Sequence, residues 1–249
     1  DLHVRVDGNP VSTTRNEYIG GVYDDIIPWT EFEVYFSAGQ DVIIEVDYTL
    51  DGTGEYPYIS FKYLLETGAG WKDAIGNVDL IVRLPYEANQ HNVFLDSSPG
   101  WGHTSLGVVL EGQDLRWDYD DLEPEYQHNL SVVMVMPSVW GKVLTERQNV
   151  AINPQDGEAW GRLGKLYKEI SLLRRGIRHD QGGIELFDLS AEAYQKALEL
   201  LPKDALWHAG YADLLHSRYY WEELIAGGYS LSNYLKAIEE YALAYSLDP

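Results

Sequence analysis

Residues 160–167 (WGRLGKLY) and 190–202 (SAEAYQKALELLP) return 47 positions later as residues 207–214 (WHAGYADL) and 237–249 (AIEEYALAYSLDP). Trp160 and Trp207 are 47 residues apart, and so are Pro202 and Pro249. Ser190, Tyr194 and Ala197 fall in register with Ala237, Tyr241 and Ala244. A fixed period of this size marks stacked supersecondary units, so it takes precedence over local propensities. Within residues 190–201, the apolar positions Ala193, Tyr194, Ala197, Leu198 and Leu201 follow the 3.6-residue spacing of a buried helical stripe. The small residues Gly164, Ala197, Gly210 and Ala244 allow close approach of helix axes, and the aromatics fill the space between them. A proline after each second helix stops it.

These residue classes resemble the tetratricopeptide repeat, a helix–turn–helix unit with W-x2-L-G-x2-Y in its first helix and a small–aromatic–small ladder in its second. The usual period is about 34 residues, so each unit here carries roughly 14 extra residues between its helices. They are expected around residues 174–183 and 219–229. A helix over residues 139–152, with Ser138 as its N-cap, ends at Asn153-Pro154 and takes the place of a preceding half-repeat. The expected organisation is therefore a β-domain over 1–138 and helical repeats over 139–249, with the two full units at about 154–202 and 203–249. No Gly/Ser-rich spacer lies at the joint, so rigid coupling is expected.

From residue 2 to 139 the period changes to two. A strand is expected from residue 2 up to a turn at Asp7–Pro10, then strands in 32–36 and 42–50 joined by a turn in SAGQD, and further ones at 58–65, 78–84, 92–95, 106–110, 115–119 and 129–136. Gly, Pro, Asn and Asp separate them at intervals suited to an antiparallel, immunoglobulin-like sandwich. SAGQDVIIEVDY, ETGAGWKDAIGNVDLIVRLP and LRWDYDDLEPEYQHNLSVVMVMP resemble β-domains of secreted or envelope bacterial proteins. That resemblance implies an extracellular or cell-envelope setting; Asp1 in the first position then suggests that a signal peptide has been removed.

The chain of 249 residues is 45% hydrophobic with a net charge of −22. Residues 1–138 hold 24 Asp+Glu against 6 Lys+Arg, which concentrates the acidity in the first half. Such a surface repels phosphate backbones and argues against nucleic acid. No apolar run approaches the roughly 18 residues of a membrane span, and zero cysteines leave no disulfide or thiolate site.

Catalytic signatures are missing. The seven histidines make no H-E-x-x-H, and there is no G-x-S-x-G, phosphate loop or dinucleotide fingerprint. His208 and His216 lie eight apart on one expected helix, and His103 with Ser105 lacks an activating turn. The acids Asp118, Asp120, Asp121, Glu123 and Glu125 offer oxygen ligands of the kind that hold calcium. Their spacing lacks the glycine turn of a calcium loop, so a solvated turn is the simpler expectation, as it is for Asp24 and Asp25. Asn129-Leu130-Ser131 satisfies the glycosylation rule. Trp140, Trp160, Trp207 and Trp221 are expected to pack within the helical part, although the many aromatics also suit glycan stacking.

Repeats of the tetratricopeptide kind bind other polypeptides. The expectation is a non-catalytic structural protein with no cofactor. Copies would associate head to tail into fibre-like assemblies through the β-domain and the outer face of the last helix, at Tyr234, Ile238, Tyr241 and Tyr245. That face would lack a polar cap. The alternative is a monomeric peptide- or glycan-binding adaptor with Tyr167 in its groove, and a hydrolase using Asp120 or Asp121 ranks third.

Overall fold

Asp7 and Gly8 set the first hairpin. Both have positive φ, 50° and 78°, which a two-residue hairpin turn requires and Asp-Gly adopts readily. They join β1 (Leu2–Val6) to β2 (Asn9–Val11). The computed structural model describes residues 2–20, 25–95, 104–172, 180–226 and 231–249. These fall into two compact units, Asp1–Asp51 and Gly52–Pro249.

In the first unit a second hairpin pairs β3 (Thr14–Gly20) with β4 (Asp25–Glu31). Residues 32–36 form no strand, contrary to expectation. β5 (Ile44–Tyr48) pairs instead with β1, giving the order β2-β1-β5. The reason is side-chain matching across the pair. Leu2, Val4 and Val6 stand opposite Tyr48, Val46 and Ile44 on one face, while on the other Arg5 bonds Glu45 at 3.2 Å and Asp47 at 2.7 Å. FEVYF would bring a further carboxylate, Glu33, to that acidic strand, where like charges disfavour pairing.

The second unit begins with β6 (Tyr58–Tyr63), which pairs with β10 (Leu130–Val135). β7 (Ile75–Arg83), β8 (Val109–Glu111) and β9 (Asp114–Leu122) form a sheet in the order β7-β9-β8. Residues 92–95, expected as a strand, carry only isolated bridges from Val93 to Met134 and from Leu95 to Thr104. All the named strand pairs are antiparallel.

Among the described residues the α-helices that follow are α1 (Pro137–Ile152), α2 (Gly157–Leu172), α3 (Gln181–Leu200), α4 (Ala205–Ala226) and α5 (Leu231–Leu247). An N-terminal β-sheet region thus precedes C-terminal helices. Ser138 is not the N-cap of α1. Met136 holds that position without a side-chain cap, and Pro137 opens the helix at the place where its missing N–H is harmless. Asp180 caps α3, its carboxylate accepting from the Gly183 N–H at 2.7 Å. Part of the extra length in each unit is helical: Gln181, Gly182 and Gly183 begin α3, and α4 runs to Ala226. Residues 173–179 and 227–230 lie outside the described residues.

The strand-to-helix change falls between Val135 and Pro137, close to the expected 138/139, but the division into compact units falls at 51/52. One core crosses the strand-to-helix change. Tyr58, Phe94, Trp117 and Val132 share it with Trp140, Val143, Leu163, Ile170 and Leu186. The Tyr58 hydroxyl donates to the Ile170 carbonyl, and Tyr86 donates to that of Val135. Each buried hydroxyl thereby has the partner that its burial demands. Trp140 is buried as expected, while Trp160 is half-buried with its indole N–H donating to the Pro154 carbonyl at 3.0 Å.

α2 is tied to α1 at its solvent edge. Arg162 donates two bonds to Glu146, at 2.7 and 3.0 Å, and this arrangement holds the Glu146 carboxyl below its ordinary range. A lowered folded pKa gives stability that is present above the unfolded pKa and is lost as pH falls through the folded one. Glu146→Gln is expected to cost about 1 kcal/mol, or about 2–4 °C in Tm, at pH 7. In thermal melts that difference should shrink as the pH drops below about 4.

Candidate interaction surface

α5 meets α4 along a narrow inner strip. Ala237 and Ala244 are buried there, seven residues apart, with Asn233, Glu240 and Leu247 half-buried beside them. Small residues at two-turn spacing let the helices approach closely. Polar contacts then fix the register. Glu240 bonds the His208 ring Nδ1 at 2.5 Å, and the other ring nitrogen faces the Pro202 carbonyl at 3.1 Å. Lys236 donates to the Tyr211 hydroxyl at 3.0 Å and sits 4.9 Å from the centre of that ring. Tyr241 donates to the Asp213 carboxylate, which also receives Lys168 of α2 at 3.2 Å. Burial, and then the neighbouring Asp213, push the Tyr241 hydroxyl above the ordinary tyrosine range, so it stays a donor at neutral pH.

The flank of α5 beside that strip is apolar and open, with Tyr234 also meeting the Tyr219 ring of α4 at 4.8 Å between centroids. Leu231, Tyr234, Ile238, Tyr241 and Tyr245 recur at alternating steps of three and four, and all are exposed, Tyr245 by 72%. Leu235 widens the stripe. Scattered exposed apolar residues are ordinary, but a contiguous face four turns long amounts to a few hundred Å², on the order of patches that mark interaction sites.

The two units of the repeat differ here. On α3, Tyr194 is 1% exposed and Phe187 5%; 47 residues on, Tyr241 is 38% exposed and Tyr234 36%. α3 is enclosed because it has a helix on each side. A Cβ added to Gly164 of α2 would lie 3.0 Å from the Tyr194 ring, and one on Gly210 of α4 would lie 2.9 Å from it. Ser190 donates to the Gly164 carbonyl at 2.7 Å on the α2 side. On the α4 side Trp207 and Tyr211 rings stand 6.4 and 6.3 Å from that of Tyr194.

The other residues singled out from the sequence do not gather into one site. Tyr167 does not line an open groove; it is buried, its hydroxyl accepting from Arg147 at 2.7 Å. Asp118 and Asp120 point from the same side of β9, both exposed, and Asp120 accepts from Asn77 at 3.2 Å. Asp121 takes a positive φ of 49°, and Glu123 lies exposed beyond the strand. Among the described residues no three His, Asp or Glu side chains gather in a manner that would hold a metal ion. His208 and His216 are separated on α4, the first buried and the second exposed. Asn129 follows a short 3-10 turn and uses its side-chain oxygen to accept from the Glu66 N–H at 3.1 Å. Asp24, His103 and the Trp221 side chain lie outside the described residues, as does the Asp25 side chain.

An open cleft of about 390 Å³ lies between residues 104–108 and the start of α3, with Gln90, Leu95 and Asp180 on its wall. Sequence reasoning missed it, because its parts are about ninety positions apart. At its rim Glu185 accepts from Gln181 at 3.1 Å, from Gln90 at 2.5 Å and pairs with His91 at 2.8 Å. Gln181 first, and then His91, hold the Glu185 carboxyl below its ordinary range. The hydroxyls in the cleft wall are occupied by backbone groups. Thr104 bonds the N–H and carbonyl of Val133, and Ser105 bonds the Ser131 N–H and the Asn129 carbonyl. They hold strands together and are not poised as nucleophiles.

No helix among the described residues is long and apolar enough to cross a membrane. No protein-family model matches the chain, and a comparison with curated proteins gives no significant match.

Proposed function

We propose that this chain is a non-catalytic protein-interaction module of the extracellular space or cell envelope. Its helices α2–α5 read as two tetratricopeptide-type hairpins, and strands 58–135 read as an immunoglobulin-like sandwich. The shared core of the β6–β10 pair and the β7-β9-β8 sheet supports the second of these readings. The observation that carries the functional reading is the contrast between the enclosed Tyr194 and the open Tyr241 at equivalent positions of the repeat. The outer face of α5 has the composition of an interface and is not solvated by charge, so it serves to receive another polypeptide.

The intact chain should bind an environment-sensitive hydrophobic dye at this face. Binding should fall at least threefold in Ile238→Asp and Tyr245→Glu, with an unchanged circular dichroism spectrum. Dye binding that is indifferent to both substitutions would overturn the reading.

A second reading is head-to-tail self-association into fibre-like assemblies. The β2-β1-β5 sheet favours it: Leu2, Val4, Val6, Val11, Ile44, Val46 and Tyr48 share one face by register, Val46 is exposed, and β5 stands at the edge of the sheet. The edge itself is charged by Glu45 and Asp47, so the apolar face and not edge pairing is what association would bury. Sedimentation velocity over a hundredfold concentration range should then show growing species that Val46→Lys suppresses. A constant monomer would exclude it.

A further inference from the structure

The chain contains a worked example of how a helix covers the face that α5 leaves open. A shift of 47 residues lays Phe187, Ala191, Tyr194 and Leu198 of α3 onto Tyr234, Ile238, Tyr241 and Tyr245 of α5. The inner faces correspond as well: Ser190 and Ala197 become Ala237 and Ala244, which are small residues in both helices. On α3 the outer set is packed under α4 with Trp207, Tyr211 and Leu214, and the closest approach to Tyr194 is made by Gly210. α5 therefore has the residues of a helix-receiving face, and among the described residues no helix lies on it.

We propose that the outer face of α5 binds an amphipathic helix of another polypeptide, one that sets glycine or alanine against Tyr241 and apolar side chains one turn to either side. The small residue follows from volume. Any larger side chain at Gly210 would meet the Tyr194 ring at sub-contact distance, and Tyr241 holds the corresponding place on α5.

One difference between the two units sharpens the partner's chemistry. Trp207 settles onto α2 at Gly161, where an added Cβ would lie 2.2 Å from the indole. The residue equivalent to Gly161 on α4 is His208, which is buried and held by Glu240 and Pro202. The floor under the partner's corresponding side chain is thus already filled, so a leucine-sized group fits where an indole would not.

A second copy of this chain is a poorer match. Its helices of the required kind, α2 and α4, are already packed against α3, and α4 also against α5. The exposed side of α1 carries Gly141, Leu144 and Ile152, but Lys142, Thr145 and Gln148 interrupt them, so it offers no continuous apolar stripe. Two α5 faces brought together would oppose tyrosine to tyrosine.

This inference rests on the reading of α5 as a docking surface, and the test separates the two. The probe is a fluorescein-labelled synthetic peptide copying residues 203–219 of α4 with Trp207→Leu, titrated onto the intact chain by fluorescence anisotropy. Saturable binding is expected. It should weaken at least tenfold when the chain carries Ile238→Asp or Tyr245→Glu, each checked for fold by circular dichroism, and equally when the peptide carries Gly210→Phe. Absence of peptide binding, or equal affinity for the Gly210→Phe peptide, would overturn the inference. If the peptide fails to bind while Ile238→Asp abolishes self-association of the chain, a second copy occupies the face; the inference then falls and the docking reading stands. If Ile238→Asp alters neither peptide binding nor association, both fall.

Discussion

The contact on which the helical part depends is the wedging of one tyrosine ring between two glycines. Tyr194 sits where a Cβ on Gly164 or Gly210 would lie at about 3 Å, so α2, α3 and α4 can close on one another only because those positions lack side chains. The indole of Trp207 over Gly161 repeats the device one turn away. Such packing is intolerant of added volume, because interiors are filled at crystal-like density. The same arrangement explains α5, which has the tyrosine and its flanking apolar residues but, among the described residues, no glycine-bearing helix beyond them. Its openness follows from the rule that encloses α3.

The helical half was legible in the sequence because its determinants are periodic and nearly local. Trp160, Tyr194 and Ala197 recur 47 residues on as Trp207, Tyr241 and Ala244, and the structure packs Tyr194, Ala197 and Trp207 into one core as their sizes imply. Helix boundaries set by single residues were less legible. Pro137 opens α1 one position before the serine that has the better capping chemistry, since proline fixes φ for the first turn and the preceding strand ends at Val135.

The strand region was legible in composition and only partly in pairing. FEVYF alternates as a strand should, yet β1 captures β5, because Arg5 can neutralise Glu45 and Asp47 and FEVYF cannot. Partners forty residues apart leave no local trace. Nor did the sequence reveal that strands 58–135 and the helices share one core, since Tyr58 reaching Ile170 is a contact over 112 positions. The same limit hid the cleft beside Glu185, whereas the α5 face could be read from its repeat.

The central claim is that equivalent tyrosines of the two units differ in access to solvent because, among the described residues, only Tyr194 has a helix on both sides. Hydroxyl-radical footprinting of the intact chain, read by mass spectrometry at each tyrosine, measures this directly. Tyr241, Tyr234 and Tyr245 are expected to oxidise several-fold faster than Tyr194. Protection of Tyr241 to the level of Tyr194 in a monomeric sample would contradict the account.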